Sequence, residues 1–294
     1  RISLCPEVGE SIFSTSIFNY QKMKVFPVYK FYYNNSCLFC KVPFHISLSL
    51  HKDYYLLKEN HNITFGKKES DYQICDIHMN TIGSVFTLIH KNEKTIMKTS
   101  LIGEYNIYNL MITIIILKEM GCSIEKIKEV VSNLNAPVGR METLIYSDNR
   151  IIVDYAHTPD AMEKLIHTVR EVCDGDIYAV FGCTGSRERE KRPVMMKIAT
   201  SLCKYVIVTI DDLHEEEAND IVHDMLEGNE NQNYEVELNR KKAIEKGIHL
   251  LKHHDILLIM GKGHEDFIIV KNQKIPFNDV QIVKEMLKEK ETLS

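Results

Sequence analysis

The feature that most constrains the fold is a regular alternation of short apolar runs and amphipathic stretches from residue 139 to the end of the chain. The apolar runs predict buried strands, and the stretches between them predict helices. The predicted strands are 151–154, 177–182, 205–210, 234–238 and 256–260, with a hairpin at 267–274, and the predicted helices are 159–173, 193–203, 217–227, 240–253 and 279–290. This alternation is typical of a doubly wound α/β domain with a largely parallel sheet.

The first part of the chain has a different pattern. Strand-like segments at 30–33, 44–50, 63–66, 73–78 and 84–90 are separated by turn-forming residues, and helical patterns cover 101–134. In the second of these helices, Ser123 is the expected cap, with Ile124, Ile127, Val130 and Val131 on one side. The sequence Asn-Ala-Pro-Val-Gly at 135–139 has the composition of a linker. We therefore predict two domains, 1–136 and 137–294.

Composition argues against several classes of protein. A formal net charge of -5, with the cations spread along the chain, disfavours a nucleic-acid surface. The longest apolar run, at 110–117, is far shorter than the ~20 residues that span a bilayer, so we predict no membrane segment. The eight cysteines are scattered, and we interpret them as reduced thiols of a cytoplasmic protein. Cys37 and Cys40 have CxxC spacing but no second pair, so we favour buried thiols over a zinc or redox site.

The stretch RIIVDYAHTPD at 150–160 is the first candidate site. Asp154 ends an apolar strand, and Thr158 and Pro159 fit the cap and first position of a helix. The helix stripe that follows is Met162, Leu165, Ile166, Val169 and Val172. Asp154 and His157 would then face the crevice where open α/β sheets bind ligands. The alternative is an ordinary strand–loop–helix with polar loop residues.

The stretch FGCTGSREREKRP at 181–193 is the second candidate site. Glycines allow a tight turn, and a helix follows that turn, which together favour anion binding. Four cations lie here: Arg187, Arg189, Lys191 and Arg192. The alternative is a solvated loop in which Glu188 and Glu190 offset two of these cations.

The stretch MGKGHED at 260–266 is the third candidate site, again at the end of an apolar run. It lacks the GxxxxGK[ST] spacing of a P-loop, and alone it fits a charged turn equally well. All three stretches follow predicted strands of one α/β domain, and this convergence favours a functional site.

Four motifs occur in a fixed order: GRMETL at 139–144, VDYAHTPDAM at 153–162, FGCTGSREREKRPVM at 181–195 and GKGHED at 261–266. Together they resemble the C-terminal domain of the Mur ligases, most closely the MurE type. LIGEYNIYN at 101–109 and NYQKMKVF at 19–26 resemble segments of the central domain of that family. The resemblance implies a Rossmann-like C-terminal domain preceded by part of the central α/β ATP-binding domain. The family's P-loop lies upstream, so we expect this chain alone to lack ligase activity.

The resemblance implies an ATP- and Mg²⁺-dependent amide ligase of peptidoglycan biosynthesis, and hence of cell-wall biogenesis, cell shape and cell division. Such a ligase phosphorylates the carboxyl group of UDP-MurNAc-L-Ala-D-Glu, and the amine of a diamino acid attacks the acyl phosphate. Its partners would be these small molecules, and we expect a cytoplasmic monomer. The alternatives are a diverged Mur-like module that binds an amino acid or nucleotide without catalysis and, with a poorer match, a folylpolyglutamate synthase.

The resemblance also implies roles for single residues. Lys24 would be a carbamylated lysine that serves Mg²⁺, with Glu10 as a second ligand. Arg187 would bind the α-carboxylate of the incoming amino acid. The implied catalytic residues are Lys24, Asp154, His157 and Lys191; the ATP-binding residues are Asn106, Asn109, Arg140, Asp154 and Lys191; and the amino-acid-binding residues are Arg187, Asp211, Asp212, His214, Gly261 and Glu265.

Two departures from the family pattern concern the substrate. Ser186 stands where the family has Asp. The diaminopimelate signature Asp-Asn-Pro-Arg corresponds to Asp-Asp-Leu-His at 211–214, so its Arg is replaced by His214, a weaker and pH-dependent partner for a carboxylate. Asp212 could pair with an amine. The third amino acid is therefore left open between L-lysine and meso-diaminopimelate.

Overall fold

The computed structural model describes residues 47–50 and 62–293, with side chains described between residues 63 and 290. The predictions for Glu10, Lys24, Cys37 and Cys40 lie outside these residues. The chain divides into two compact units between Asn135 and Ala136. The predicted mixed α/β class with parallel strands is confirmed.

The first unit contains a five-stranded sheet in sequential order. Its strands are β1 (Ser47–Leu50), β2 (Asn62–Gly66), β3 (Tyr72–Asn80), β4 (Gly83–His90) and β5 (Glu93–Thr99). The first three run parallel and the last three antiparallel. The sequence did not predict β5, because Ile96 and Met97 are its only apolar residues and Ile96 is exposed.

Two helices complete the first unit: α1 (Glu104–Glu119) and α2 (Ile124–Ser132). Ser123 caps α2 as predicted, because its hydroxyl accepts a hydrogen bond from the Lys126 N–H. The predicted apolar side of α2 is only partly correct. Ile127 and Val131 are buried, whereas Val130 is 39% exposed.

The second unit contains a six-stranded sheet in the order β10-β9-β8-β11-β7-β6. Its strands are β6 (Glu142–Tyr146), β7 (Asn149–Asp154), β8 (Ile177–Phe181), β9 (Tyr205–Val208), β10 (Tyr234–Val236) and β11 (Ile256–Met260). All neighbours are parallel except β6, which is antiparallel to β7. The sequence did not predict β6, because an edge strand without a fully buried face has no clear apolar alternation.

Helices and a hairpin connect these strands. The helices are α3 (Pro159–Arg170), α4 (Lys191–Leu202), α5 (Ala218–Leu226), α6 (Arg240–Leu250) and α7 (Asp279–Leu293), and the hairpin is β12 (Phe267–Val270) with β13 (Gln273–Pro276). The predicted cap of α3 is confirmed: the Thr158 hydroxyl accepts a hydrogen bond from the Ala161 N–H at 3.3 Å. The predicted stripe of α3 is buried.

The order of the strands brings several loops to one edge of the second sheet. After β7 the chain builds β8, β9 and β10 outwards, and then returns to insert β11 between β7 and β8. The sheet is held by a core of aliphatic side chains that α6 and α7 cover, including Val153, Val180, Ile244, Ile259 and Val283. Burying each such side chain contributes roughly 1.5–3 kcal/mol. The loops after β7, β8, β9 and β11 therefore meet at the carboxyl edge, where doubly wound sheets bind ligands.

Candidate functional site at the carboxyl edge of the second sheet

Asp154 holds two backbone segments together at the end of β7. Its Oδ2 accepts a hydrogen bond from the Met141 N–H and its Oδ1 accepts one from the Ala156 N–H, each at 2.8 Å. The side chain is buried, and burial raises the pKa of its carboxyl group, although both N–H donors and Arg140 act in the other direction. Asp154 thus fixes the segment that carries Arg140 against the turn after β7.

Tyr155 is at the centre of a cluster of cationic and aromatic groups. The Arg140 guanidinium lies 4.6 Å from the centre of its ring. The rings of His157 and His264 lie 4.6 Å and 5.1 Å from the same ring. The Lys191 Nζ donates a hydrogen bond to the His157 carbonyl oxygen at 3.2 Å. The predicted residues Arg140, Asp154, His157 and Lys191 therefore come together around one turn.

The loop after β8 is bound closely to the loop after β9. The Gly185 N–H donates a hydrogen bond to the Asp212 carbonyl oxygen at 2.7 Å. A Cβ on Gly185 would lie 2.1 Å from the Leu213 carbonyl oxygen, so the approach of the two backbones requires glycine. Ser186 has a left-handed backbone with φ of 54°, and the exposed Arg187 follows it.

Two of the four predicted anion-binding cations are ion-paired within the protein. Arg192 is fully buried and contacts Glu216 at 2.9 Å and Asp224 at 2.7 Å, and Arg189 contacts Glu216 at 3.1 Å. Carboxylates do offset two cations, but these carboxylates come from Glu216 and Asp224 rather than from Glu188 and Glu190. Arg192 is therefore buried and already paired with carboxylates of the protein.

A buried lysine occupies an acidic cluster at the end of β11. The Lys262 Nζ lies 2.7 Å from Asp212 Oδ1, 2.7 Å from Glu265 Oε2 and 3.9 Å from Asp211 Oδ1, and its side chain has no exposed surface. Burial lowers the pKa of Lys262, but the three carboxylates outweigh burial and raise it. Burial also raises the pKa of Asp211, although Arg240 and Lys262 act in the other direction. The Lys262 ammonium in this stretch is therefore buried rather than solvated.

The acidic cluster does not fit a metal ion. Asp211, Asp212 and Glu265 are the group of carboxylates that, among the described residues, lie close enough to hold one. The Lys262 ammonium already lies among them and supplies the positive charge. The Mg²⁺ ligands that the family resemblance implied, Lys24 and Glu10, are elsewhere in the chain and outside the described residues.

Gly261 and His214 border the same cluster. Gly261 has φ of 110°, and a Cβ there would lie 2.4 Å from Asp211 Oδ2, so the carboxylate covers the glycine backbone. His214 has φ of 52°, donates its N–H to the Ile269 carbonyl oxygen and joins the loop after β9 to β12. The predicted amino-acid-binding residues of loops 209–217 and 261–266 are therefore neighbours.

The remaining predicted ATP residues lie in the first unit. Asn106 and Asn109 are both buried on α1. The Asn106 side-chain amide donates a hydrogen bond to the Ile102 carbonyl oxygen at 2.8 Å. This contact joins the first turn of α1 to the backbone that precedes the helix.

Sequence reasoning missed several residues that organise the site. Lys262 had a local signal, since it lies between Gly261 and Gly263 directly after a buried strand. No local pattern marked Arg240 and Asp279. They form a fully buried ion pair at 2.7 Å, but they lie 39 positions apart in the sequence. Arg240 also donates to the Ile210 and Met260 carbonyl oxygens, which immediately precede the two acidic loops.

This fold and this set of strand-end loops define a ligase domain of the Mur type. Residues 139–263 match the family described as "Mur ligase, glutamate ligase domain". The chain therefore carries the C-terminal domain of a Mur ligase, and the predicted family is confirmed.

Two curated relatives make the comparison more specific. The UDP-N-acetylmuramoyl-L-alanyl-D-glutamate–2,6-diaminopimelate ligase of Clostridium botulinum is 38% identical over 231 residues, which are 77% of this chain and 48% of the relative. The ligase of the same name from Aquifex aeolicus is 39% identical over 236 residues, which are 79% of this chain and 48% of the relative. The chain thus spans about half the length of the curated relatives that it matches.

A solved structure supports the same comparison. A ligase of the same name superposes with a TM-score of 0.63 at 29% identity, over 78% of this chain and 48% of that one. These named relatives are ligases, so the alternative of a non-catalytic binding module has no support. Within the described part of the chain, no helix has both the length and the apolar character needed to cross a membrane.

Proposed function

We propose that this chain is part of an ATP-dependent amide ligase of peptidoglycan precursor synthesis, which adds a diamino acid to UDP-MurNAc-L-Ala-D-Glu. The observation that carries the proposal is the 2.7 Å hydrogen bond from Gly185 to Asp212, which joins the Arg187 loop to the acidic cluster. An arginine and carboxylates on two joined loops suit a zwitterion, because guanidinium binds carboxylate in a bidentate manner and carboxylates bind ammonium. The first unit would be part of the central ATP-binding domain, and the second unit the amino-acid-binding domain.

Two diamino acids are supported by different observations. The names of the curated relatives favour meso-diaminopimelate. The sequence favours L-lysine, because His214 replaces the arginine of the diaminopimelate signature. Glu265, whose side chain is 24% exposed at the edge of the acidic cluster, is a carboxylate that could pair with a terminal ammonium.

The groups around Tyr155 would bind the nucleotide. Arg140 and Lys191 are the cations there. Asp154 holds the backbone next to Arg140, and the His157 carbonyl oxygen accepts a hydrogen bond from the Lys191 Nζ. ATP would supply the phosphoryl group that activates the substrate carboxylate. For Asn106 and Asn109 the family resemblance implies a role in ATP binding, and for Lys24 with Glu10 it implies Mg²⁺ binding. We place the enzyme in the cytoplasm as a monomer, in keeping with the free thiols of the described cysteines.

The test is calorimetric titration of the 294-residue chain with L-lysine and with meso-diaminopimelate. Wild-type chain should bind one of the two, and Arg187→Ala should weaken that binding at least about tenfold, since a hydrogen bond to a charged group contributes ~1.5–3 kcal/mol. Lys164→Ala, an exposed cation on α3, is the matched control and should bind like wild type. Binding of neither amino acid would contradict the proposed site.

A further inference from the structure

Glu216, two positions before α5, makes several contacts to the Arg187 loop. Its Oε2 accepts hydrogen bonds from Arg192 at 2.9 Å and Arg189 at 3.1 Å, and its Oε1 accepts one from Arg192 at 3.0 Å. The Ser186 N–H also donates to Oε1. One carboxylate, with its side chain 14% exposed, therefore binds both ends of the segment from Ser186 to Arg192.

The contact to Ser186 determines the backbone next to Arg187. Ser186 has φ of 54°, a left-handed conformation that a non-glycine residue keeps only when its surroundings fix it. The surroundings here are the Glu216 carboxylate on the Ser186 N–H and the Asp212 carbonyl on the Gly185 N–H. The direction in which the chain enters Arg187 thus depends on Glu216.

We propose that Glu216 is a positioning residue for amino-acid recognition: through Ser186 it holds Arg187 in place to receive the α-carboxylate of the substrate. The inference rests on the proposed function, because it assigns Glu216 to the Arg187 site. The competing view is that Glu216 only neutralises buried Arg192. Arg192 keeps Asp224 at 2.7 Å as a second partner, so the two roles can be separated experimentally.

The experiment is calorimetric titration of the 294-residue chain with whichever of L-lysine or meso-diaminopimelate binds wild type. Glu216→Ala should weaken binding about tenfold, within the range of coupling seen between contacting residues. Glu216→Gln keeps an acceptor for the Ser186 N–H and should restore most of the affinity. The double variant Glu216→Ala with Arg187→Ala should bind no more weakly than Arg187→Ala alone, because Glu216 acts through Arg187.

The matched control is Glu217→Gln, whose exposed side chain lies one position further along the chain, and it should bind like wild type. If Glu216→Ala does not fold, Glu216→Asp replaces it, since aspartate keeps the charge but is one methylene too short to reach both Ser186 and Arg192. Two results would overturn the inference: a loss of affinity in the double variant equal to the sum of the two single losses, or unchanged affinity in folded Glu216→Ala. In either case, weakened binding by Arg187→Ala would still support the proposed site. Absence of binding by wild type would overturn both.

Discussion

Lys262 shows how a single buried charge organises the site. Three carboxylates from two loops surround its ammonium, and Asp212 Oδ1 also accepts the Ile269 N–H at 2.8 Å. A buried ion cluster contributes little net stability when complete, but removing one partner leaves uncompensated charge. The role of Lys262 is therefore to keep the acidic loops in a single arrangement.

Replacing this lysine tests that role. Lys262→Met keeps the volume of the side chain but leaves Asp211, Asp212 and Glu265 without their cation, so we expect the free energy of unfolding to fall by about 3–5 kcal/mol. Urea denaturation at pH 7 measures the change. Lys271→Met, at a side chain that is 77% exposed, is the control and should change stability by at most about 0.5 kcal/mol. Equal effects of the two substitutions would contradict the cluster.

Glu216 predicts a pH dependence of stability. Its hydrogen bonds from Arg192 lower the pKa of its carboxyl group from 4.5 to about 2. Because the folded-state pKa lies below the unfolded value, the stabilisation is complete above pH 4.5 and disappears as the pH falls towards 2. The difference in free energy of unfolding between wild type and Glu216→Gln should therefore be constant above pH 4.5 and shrink as the pH falls from 4.5 towards 2, in urea titrations at successive pH values. A difference that grows as the pH falls would contradict the ion pair.

At the scale of the elements, close approaches of backbone hold the strand-end segments together. Gly139 lies in the segment before β6 and contacts the Gly263–His264 backbone of the loop after β11. Gly139 and Gly263 both have positive φ. Side chains at these positions would separate the segment that carries Arg140 from the loop that carries Lys262.

A pair of glycines isolates the effect of this approach. Both Gly139 and Gly228 have φ above 60°. The Cβ of Gly139→Ala would lie 2.1 Å from Gly263 C and from His264 N, whereas the Cβ of Gly228→Ala would have no neighbouring atom within 4 Å. We expect Gly228→Ala to lose only the conformational term, about 1–2 kcal/mol. Gly139→Ala should lose clearly more, because backbone must move. Thermal or urea unfolding of both variants measures the contrast, and equal losses would show that the approach is not required.

At the scale of the whole molecule, the second unit contains a complete core of its own. Every residue of its central cluster lies between residues 144 and 287, and the chain divides at Asn135. The last helix belongs to this core, because Val280 and Val283 are buried and Asp279 pairs with Arg240. A core that is closed within one unit is the requirement for independent folding.

We therefore expect a fragment of residues 136–294 to unfold cooperatively in urea, with a midpoint that matches one transition of the full chain. A fragment of residues 136–278 is the matched control. It lacks α7, leaves Arg240 without Asp279, and should not fold. Non-cooperative unfolding of the longer fragment would contradict the independence of the second unit. Circular dichroism distinguishes these results.

Local sequence determined the elements of the second unit and the positions of its loops. Short apolar runs predicted five strands to within a few residues, Thr158 and Pro159 predicted the start of α3, and glycines beside charged residues marked the loops after β8 and β11. These features follow from periodicity, capping and turn chemistry, which act over a few residues. Strand β6 and the buried state of Lys262 and Arg192 were missed, because burial depends on what packs against a residue rather than on its neighbours in sequence.

Only the tertiary structure decided which groups meet. The insertion of β11 between β7 and β8 brings residues 154, 212 and 262 to one edge of the sheet, and no local pattern fixes that order of strands. The same is true of Arg240 with Asp279, and of Glu216 with Ser186 and Arg192, which are ion pairs and hydrogen bonds across 24 to 39 positions. The sequence by itself determined the class of protein and predicted which residues along the chain are candidates for the site. The packing of strands and the requirement to satisfy buried charges determined which of those residues are available to a ligand and which hold the site in shape.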